Sequence, residues 1–327
     1  MLLRSAWNED RDFDVLVVGD LNIDLILSGL PKLPEFGGEV LASGLTQLLG
    51  GSAANFAVFC ARLGLRVAFV AKVGEDDFGD FLLAELDRWG VATEYVLRDP
   101  ELPTGITVSL SGPTDRAFVT YVGTIDSLTG DDLPADLPRR AKHIHLASYF
   151  LQTKLQSGLA ALADRAHDSG TSMSLDTGYD PFERWDTGLA GLLPRIDLLV
   201  PNEVEAQAIS GAATVDDALE VLCRQTEVVA LKVGCDGALA CDGRESVRVP
   251  GFAVDVVDTT CCGDAFNAGF VAGLLGGLPL RDAVTRGNAC GALMASVVGN
   301  DAGVLSVEAV DSLLEAGGMR QDLSETS

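Results

Sequence analysis

Short apolar runs alternate along the chain with longer segments in which apolar residues recur at helical spacing. The first run, Asp-Val-Leu-Val-Val-Gly at 14–19, predicts a buried parallel strand. Further strands are predicted at 66–71, 142–146, 171–175, 196–200 and 227–231, and helices at 52–63, 77–89, 154–168, 203–210 and 215–224. This alternation predicts an α/β fold with a central, mostly parallel sheet and helices on both faces.

Two regions break this rhythm, because polar and apolar residues alternate in them instead of forming continuous apolar runs. They lie at about 22–47 and 104–121. The second region predicts a hairpin with its turn at 111–115. Together they predict a small β-sheet lid, inserted discontinuously into a single domain that spans residues 1–327.

Composition narrows the class of protein. Apolar residues make up 47% of the 327 residues and charged residues 22%, which is typical of a globular chain with a sizeable core. The net charge of −25 repels nucleic acid phosphates and anionic lipid, so neither is an expected partner. No run is long enough to span a membrane, and the N-terminus lacks the features of a signal peptide. We therefore expect a cytoplasmic protein.

The cysteines predict neither a zinc site nor a disulfide framework. None of the seven forms a C-x-x-C pair, and the chain has only three histidines to join them. They are Cys60, Cys223, Cys235, Cys241, Cys261, Cys262 and Cys290. We expect most of them to be reduced and buried as small apolar residues.

The most informative segment is residues 257–270, where small, polar and acidic residues run directly into a helix. The backbone N–H groups of residues 261–264 would lie at the helix N-terminus, which binds anions without basic side chains. Gly263 permits close approach of the backbone to a ligand. Asp264 is suited to accept a proton from an attacking hydroxyl. Taken alone, the segment fits equally well with Asp264 as a helix cap.

Three further motifs accompany this segment. Gly19-Asp20-Leu21-Asn22-Ile23-Asp24 follows the first strand, Gly50-Gly51-Ser52-Ala53-Ala54-Asn55 opens a helix, and Asn202-Glu203-Val204-Glu205 follows a later strand. With Asp258 to Phe266 they occur in the order found in the ribokinase-like (PfkB) carbohydrate kinase family, which the chain resembles over about residues 14–305. The resemblance implies a ribokinase-like fold and transfer of the γ-phosphate of Mg-ATP to a hydroxyl of a small sugar or sugar derivative.

The resemblance also implies roles for individual residues near the transferred phosphoryl group. Asp264 takes the position of the general base, and the backbone amides of Cys261, Cys262, Gly263 and Asp264 take that of the anion hole. Asn22 and Asp24 take sugar-binding positions, where an amide and a carboxylate offer both donors and acceptors to a polyol. Gly51, Ser52 and Asn55 line the same pocket.

For the nucleotide and cations, the resemblance assigns a second set of residues. Asn202 and Glu205 lie one helical turn apart and match the motif that holds Mg²⁺ through water. Asn202, Lys232, Gly234, Gly237 and Asn288 take ATP-binding positions. Asp258 and Thr260 match part of a K⁺ site, to which Ser296–Gly303 would add carbonyls. Family members commonly pair through their lid sheets, so a homodimer is expected.

Cys261 and Cys262 depart from the small Gly-Ala or Ala-Ala pair that the family has at these positions. Cysteine is also small and the donors are backbone amides, so the departure is compatible with activity. Because a helix N-terminus lowers the pKa of a thiol, one hypothesis is that these residues make activity sensitive to oxidants. The other hypothesis is that they are tolerated small residues.

Two alternatives remain open from the sequence. A nucleoside kinase would keep the fold and the base, and the lid aromatic residues Phe36, Phe118 and Tyr121 do not decide against it. A non-catalytic, ligand-sensing protein of the same fold is disfavoured by the presence of Asp264, Asn202 and Glu205 together. A Rossmann dehydrogenase and a Walker-type kinase are excluded because their glycine-rich fingerprints are absent from the sequence.

Overall fold

The computed structural model describes residues 11–112 and 116–320, and within these the chain forms a nine-stranded sheet and a four-stranded sheet. We call them the large sheet and the small sheet. The strands are β1 (Phe13–Val18), β2 (Asn22–Ser28), β3 (Gly44–Gly50), β4 (Val67–Gly74), β5 (Val91–Asp99), β6 (Gly105–Ser111), β7 (Arg116–Tyr121), β8 (Ala141–Leu146), β9 (Ser172–Leu175), β10 (Leu198–Leu199), β11 (Val228–Lys232), β12 (Ala238–Cys241) and β13 (Ser246–Val249). The α-helices are α1 (Ser52–Arg62), α2 (Asp77–Arg88), α3 (Thr153–Asp168), α4 (Leu189–Leu192), α5 (Glu203–Ser210), α6 (Val215–Cys223), α7 (Cys262–Leu275), α8 (Leu280–Ala295) and α9 (Val307–Ala316).

The large sheet has the order β13-β12-β11-β10-β9-β8-β1-β4-β5. Neighbouring strands are parallel from β11 to β5, whereas β12 and β13 are antiparallel. From β1 the chain first extends the sheet on one side with β4 and β5, and then on the other side with β8 to β11. The order therefore reverses between β1 and β8, and the crevice at the carboxyl ends of these strands is where α/β proteins bind ligands.

Two hydrophobic cores cover the faces of this sheet. Along β1, Val15 and Val17 belong to one core, and Leu16 and Val18 to the other, as expected for alternating side chains. The first core contains buried residues of α1, α7 and α8, and the second contains those of α3 and α6. The continuously apolar run at 14–19 is thus explained by burial on both faces.

The small sheet has the order β3-β2-β6-β7. It is assembled from the two alternating regions, and the predicted α/β class with a separate small sheet is confirmed. The first region extends further than predicted, because β3 continues to Gly50 and leads directly into α1. Asn22 at the start of β2 pairs with Gly50 on one side and Gly105 on the other, and it follows the end of β1 in the large sheet by four residues. Residues 113–115 of the predicted turn lie outside the described residues.

Three strands were missed by the sequence pattern: β5, β12 and β13. β5 and β13 are the edge strands of the large sheet and are only partly buried, whereas β12 is buried throughout but only four residues long. Most of the cysteines are free, as expected, but Cys223 in α6 and Cys241 in β12 form a disulfide with their Cα atoms 6.4 Å apart. Packing of α6 against β12 brings them together, and no short spacing in the sequence indicates it.

Within the described residues, no helix combines the length and the apolar character that crossing a membrane would need.

Candidate functional site

The carboxyl ends of the parallel strands bring a set of polar side chains to one edge of the large sheet. Asp20 follows β1, Ser148 follows β8, Asp176 follows β9, and Lys232 ends β11. All four lie on the side of the sheet formed by the carboxyl ends of the parallel strands, where the strand order reverses between β1 and β8. Ser148 has a left-handed backbone with φ 57°, an uncommon conformation for a residue with a side chain. This edge is therefore the candidate site.

The N-termini of α1 and α7 meet above this edge. Ser52 is the first residue of α1, and its Oγ donates to Oδ1 of Asp264 in the first turn of α7 at 2.6 Å. Asp20 fixes the start of α1, because its carboxylate accepts the backbone N–H groups of Ser52 at 3.1 Å and Ala53 at 2.9 Å. The motif following β1 thus supports the residue that contacts the predicted base.

Asp264 lies in surroundings that favour its protonated form. Burial raises the pKa of Asp264 to about 8, and the negative charges of Asp176 and Asp20 act in the same direction. The Ser52 hydroxyl and the Lys232 ammonium oppose this rise in pKa without cancelling it. A carboxylate whose pKa lies near neutral pH is well matched to proton transfer.

The predicted sugar-binding residues lie on the small sheet beside Asp264. Asn22 and Asp24 share one face of β2, and the Asn22 Nδ2 atom donates to Oδ1 of Asp24 at 2.9 Å. Burial raises the pKa of Asp24 to about 7. Gly50 leaves room for this carboxylate, because a Cβ atom there would lie 2.3 Å from Oδ1 of Asp24. The Asn22 amide protons also face the Ile23 carbonyl at 3.2 Å and the Thr107 hydroxyl, so the pair offers mainly its oxygen atoms to hydroxyl groups.

Asn55 connects α1 to the turn before α7. Its Nδ2 atom donates to Sγ of Cys261 at 3.1 Å, and its Oδ1 atom accepts from Nδ2 of Asn300 at 2.9 Å. Cys261 itself has a left-handed backbone, with φ 59°, immediately before α7. Five of the predicted residues, Asn22, Asp24, Ser52, Asn55 and Asp264, are therefore gathered around the start of this helix.

The expectation of a lowered thiol pKa fails at Cys261. Burial raises the pKa of Cys261 well above its ordinary value, and Asp264 and Asp24 raise it further. Burial and these carboxylates outweigh the effect of the helix N-terminus; Asp264 follows three residues later in α7, whereas Asp24 comes from β2. Cys261 is a protonated thiol at neutral pH, which favours the interpretation as a small residue.

A cavity of about 340 Å³ lies on the other side of the α7 N-terminus. The predicted residues that line it are Asn202, Lys232, Gly234, Gly237, Cys262, Gly263 and Asn288. Two parts of the lining were not indicated by the sequence: Arg320 and an apolar wall formed by Phe252, Val254, Val256, Phe266, Ala292 and Ala295. Short strand-like apolar stretches, without a motif, carry no signal that they face a ligand. A concave, mainly apolar cavity with a few polar groups suits an adenine nucleotide.

Asn288 has a role beyond lining this cavity. Its Nδ2 atom donates to the backbone carbonyls of Val249 at 3.0 Å and Pro250 at 3.2 Å. These bonds tie α8 to the end of β13 and to the segment that carries Phe252. The side chain shapes the cavity wall, while its amide protons are already engaged.

Lys232 takes part in a closed network of buried polar groups. Its ammonium donates to Oδ2 of Asp176 at 2.9 Å and to Oδ1 of Asn267 at 3.2 Å, and Nδ2 of Asn267 donates to the same Asp176 oxygen at 2.5 Å. Burial lowers the pKa of Lys232, but Asp176 and Glu205 outweigh it and the pKa is raised. Asp176 and Asn267 were not identified from the sequence.

Asn202 and Glu205 form a reciprocal cap at the start of α5. The Asn202 side chain accepts the Glu205 N–H at 2.9 Å and donates to Oε1 at 2.7 Å, while the Asn202 N–H donates to Oε2 at 2.9 Å. Glu205 is only 4% exposed, so it is not a solvated surface residue. Burial, with Asp176 adding to it, raises the pKa of Glu205 to about 7.

These oxygen atoms fit an indirect role towards Mg²⁺. Within the part of the chain that the structure describes, no three His, Cys, Asp or Glu side chains are grouped as metal ligands. Mg²⁺ usually keeps several waters and is held by one or two carboxylates together with substrate phosphates. Asn202 at the cavity wall, with Glu205 behind it, matches that preference.

Asp258 ties the segment before α7 to the loop after α8. Its Oδ1 atom accepts from the backbone N–H and the hydroxyl of Thr260, and its Oδ2 atom accepts the Gly299 N–H at 3.0 Å. Asp258, Thr260 and Glu205 are not among the described residues that line the cavity. Asp258 and Thr260 thus shape the loop that begins α7.

Comparison with known proteins extends this description. Residues 12–306 match the model of the pfkB family of carbohydrate kinases. The 2-dehydro-3-deoxygluconokinase of Bacillus subtilis is 31% identical over 86% of this chain and 91% of its own length. The ATP-dependent ribose-1-phosphate kinase of Halopiger xanaduensis is 34% identical over 86% of this chain and 91% of its own length.

A solved structure agrees with these relatives. The ribokinase of Arabidopsis thaliana, determined with ribose and ATP, has a TM-score of 0.79 and 25% sequence identity, and the match covers 93% of this chain and 99% of that one. The matched residues 12–306 include Asp264 with its hydrogen-bonded neighbours, the network around Lys232, and the lining of the cavity apart from Arg320. The chain therefore belongs to the pfkB family of carbohydrate kinases.

Proposed function

We propose that this protein transfers the γ-phosphoryl group of Mg-ATP to a hydroxyl of a small sugar, with Asp264 as general base. The observation that carries the proposal is the position of Asp264 in the first turn of α7. It lies between the cavity on one side and the polar face formed by Asn22 and Asp24 on the other. A base at this position can reach an acceptor hydroxyl while the phosphate donor occupies the cavity.

Phosphoryl transfer requires mainly that the reacting groups are held in position and that negative charge on the transferring phosphoryl group is stabilised. The Asp264 carboxylate accepts the proton of the acceptor hydroxyl, and the Ser52 hydroxyl keeps the carboxylate oriented. The amides of residues 261–264, at the positive end of α7, stabilise negative charge on the transferring phosphoryl group. The Lys232 ammonium adds positive charge beside Gly263, since a Cβ atom on Gly263 would lie 3.6 Å from Nζ. Mg²⁺, held through water by Asn202 and Glu205, would neutralise charge on the donor phosphates.

A panel of acceptors with Mg-ATP tests this function directly. We would measure ADP release with neutral pentoses and hexoses, a sugar acid, a sugar phosphate and nucleosides. We expect turnover with one of the sugar classes. Turnover confined to nucleosides would instead establish a nucleoside kinase. Ligand-induced thermal stabilisation with no turnover on any acceptor would identify a ligand-sensing protein and overturn the proposal.

Replacing Glu205→Gln should raise the Mg²⁺ concentration needed for half-maximal activity by roughly tenfold. A glutamine can still accept the Asn202 backbone N–H, but it loses the second acceptor oxygen, which faces Asn202 Nδ2, and the negative charge that favours the hydrated cation. We expect a smaller change in the sugar KM, and a Mg²⁺ titration at fixed ATP measures both.

The control for this variant is Thr214→Ala, which removes the side-chain cap of the neighbouring helix α6. It should cost about 1 kcal/mol of stability and leave the Mg²⁺ requirement unchanged. A Glu205→Gln titration that superimposes on that of the parent protein would contradict the metal role.

We further propose that the small sheet is a lid that closes over the sugar. Closure would exclude water and suppress ATP hydrolysis in the absence of an acceptor. Amide hydrogen exchange in β2 and β6 should slow several-fold when the sugar and a non-hydrolysable ATP analogue are added together. Helix α3, none of whose residues lines the cavity, serves as the internal control, and unchanged exchange in β2 and β6 at saturating ligand would overturn the lid proposal.

Three finer points complete the proposal. A K⁺ ion beside the anion hole would be held near Asp258 and Thr260. This site is tested by comparing activity in KCl with that in NaCl.

Pairing of two chains through the small sheet is supported by its exposed apolar residues, including Leu45, Phe118 and Val119. It is tested by sedimentation. A cytoplasmic location agrees with the need for ATP.

A further inference from the structure

The network that joins Asp176, Lys232 and Asn267 is more elaborate than a phosphate-binding lysine requires. Its three members come from β11, α7 and the end of β9, and each contacts the other two. Asp176 is 5% exposed and Asn267 is fully buried. A buried ion pair with such complete hydrogen bonding holds its cation in one place.

The geometry leaves one ammonium proton of Lys232 for a ligand. An ammonium group has three N–H donors, and Asp176 and Asn267 accept two of them. The Lys232 side chain lines the cavity, and its Nζ atom lies close to Gly263 at the start of α7. The remaining donor is therefore available where the cavity meets the helix N-terminus.

We propose that Asp176 is a positioning residue for phosphoryl transfer, whose carboxylate, with the Asn267 side chain, fixes the Lys232 ammonium against the terminal phosphoryl group of ATP. This inference rests on the proposed kinase function. Without Asp176, Lys232 would remain a flexible cation that still attracts the nucleotide but no longer points at the transferred group. Positioning of this kind affects turnover more than nucleotide binding, because it matters most in the transition state.

Asp176 also contributes to the electrostatics around the predicted base. The charged and titratable groups that face it are Lys232 from β11, Glu205 from α5, Asp264 from α7 and His145 from β8. His145 is neutral, since burial lowers its pKa to about 3. The groups that act on Asp264 are Asp176, Lys232 and Asp20, and the negative charge of Asp176 raises the Asp264 pKa. Removing that charge should lower the pKa of the base.

Two variants separate the positional role from the charge. Asp176→Asn keeps the size and a hydrogen-bond acceptor, whereas Asp176→Ala removes the contact with Lys232 altogether. We expect kcat to fall by about thirtyfold or more in Asp176→Ala and by less in Asp176→Asn, with the ATP KM within about threefold of the parent value in both. Both variants should shift the acidic limb of the kcat/KM profile to lower pH, because both remove the same charge.

A purely structural ion pair would behave differently. It would lower thermal stability and would still shift the acidic limb through its charge, but it would leave the plateau kcat of Asp176→Ala near the parental value. The matched control is Asp197→Asn, which also removes a carboxylate that is hydrogen-bonded to β9, but at the opposite edge of the sheet. We expect no shift of the acidic limb in this control. If Asp176→Ala fails to fold, Asp176→Asn still tests the pH shift.

Nucleotide binding gives a measurement that does not depend on turnover. By calorimetry, the parent protein should bind a non-hydrolysable ATP analogue more tightly than ADP, and Lys232→Met should abolish this preference. Asp176→Ala should weaken the preference, and Asp176→Asn should retain most of it. An unmoved acidic limb in both Asp176 variants, or parental kcat in Asp176→Ala, would overturn the proposal. A parent protein without activity on any acceptor would refute the kinase function, while the binding preference would still test Asp176.

Discussion

Asp264→Asn should reduce kcat by at least about a hundredfold while the fold is retained. Asparagine has nearly the same shape and can accept the hydrogen bond from Ser52, but it cannot take a proton from the acceptor hydroxyl. In the parent protein the base works only when ionised. Because the pKa of Asp264 is raised to about 8, kcat/KM should rise with pH through that value. Steady-state phosphoryl transfer between pH 6 and 9 measures both effects.

The same substitution makes an opposite prediction for stability. The folded-state pKa of Asp264 lies above that of an unfolded aspartate, so ionisation of Asp264 destabilises the folded protein as pH rises towards and through about 8. Asp264→Asn should therefore match or exceed the melting temperature of the parent protein at pH 9.

The control is Asp282→Asn, which removes an exposed carboxylate from the first turn of α8. It should change neither turnover nor the pH profile. Near-parental turnover in Asp264→Asn would exclude Asp264 as the base.

Gly51→Ala should disrupt the site through the backbone. Gly51 precedes α1 with φ 102°, and a Cβ atom there would lie 2.6 Å from the carbonyl oxygen of Asp20. Both the backbone strain and the collision with another backbone segment must be relieved by moving the start of α1. We expect a loss of at least about 2 kcal/mol in the free energy of unfolding. Turnover should fall on the order of a hundredfold, because Ser52 and its contact with Asp264 move with the helix.

Gly90→Ala separates the two causes. Gly90 also has a positive φ of 78°, but a Cβ atom there would meet nothing within 4 Å. This control should lose about 1 kcal/mol from backbone strain alone and retain full activity. Equal losses of stability and activity in the two variants, measured by urea unfolding and steady-state kinetics, would show that close packing around Gly51 is unimportant.

The sequence was most informative where burial on both faces or a motif constrained several residues at once. The large-sheet strands that were identified, from β1 to β11, are short segments largely buried on both faces, although in β8 and β9 one of these faces carries buried polar side chains. The residues around Asp264 were identified because the motifs lie at strand ends and helix starts. The carboxyl ends of parallel strands bring such positions together.

What the sequence did not indicate depends on contacts between distant segments. Asp176 follows an ordinary short strand, and only the folded structure shows that its carboxylate meets Lys232 and Asn267. The raised pKa of Cys261 likewise comes first from burial in the folded chain, to which Asp264 and the distant Asp24 of β2 add. The apolar wall of the cavity, including Phe252, has a composition no different from that of the core. These features arise from tertiary packing, on which local patterns carry no information.

The small sheet has a consequence for how the chain folds. Its central pairing joins β2 to β6 in parallel, and the chain between them contains β4, α2 and β5 of the large sheet. Closing so long a loop costs entropy before the pairing contributes any stability, so β6 should dock only after that part of the large sheet has formed. Until then the side of β2 that later pairs with β6 is an open edge with unpaired backbone N–H and carbonyl groups. Chains interrupted before β6 should therefore aggregate during synthesis, whereas chains that reach β6 close the edge themselves.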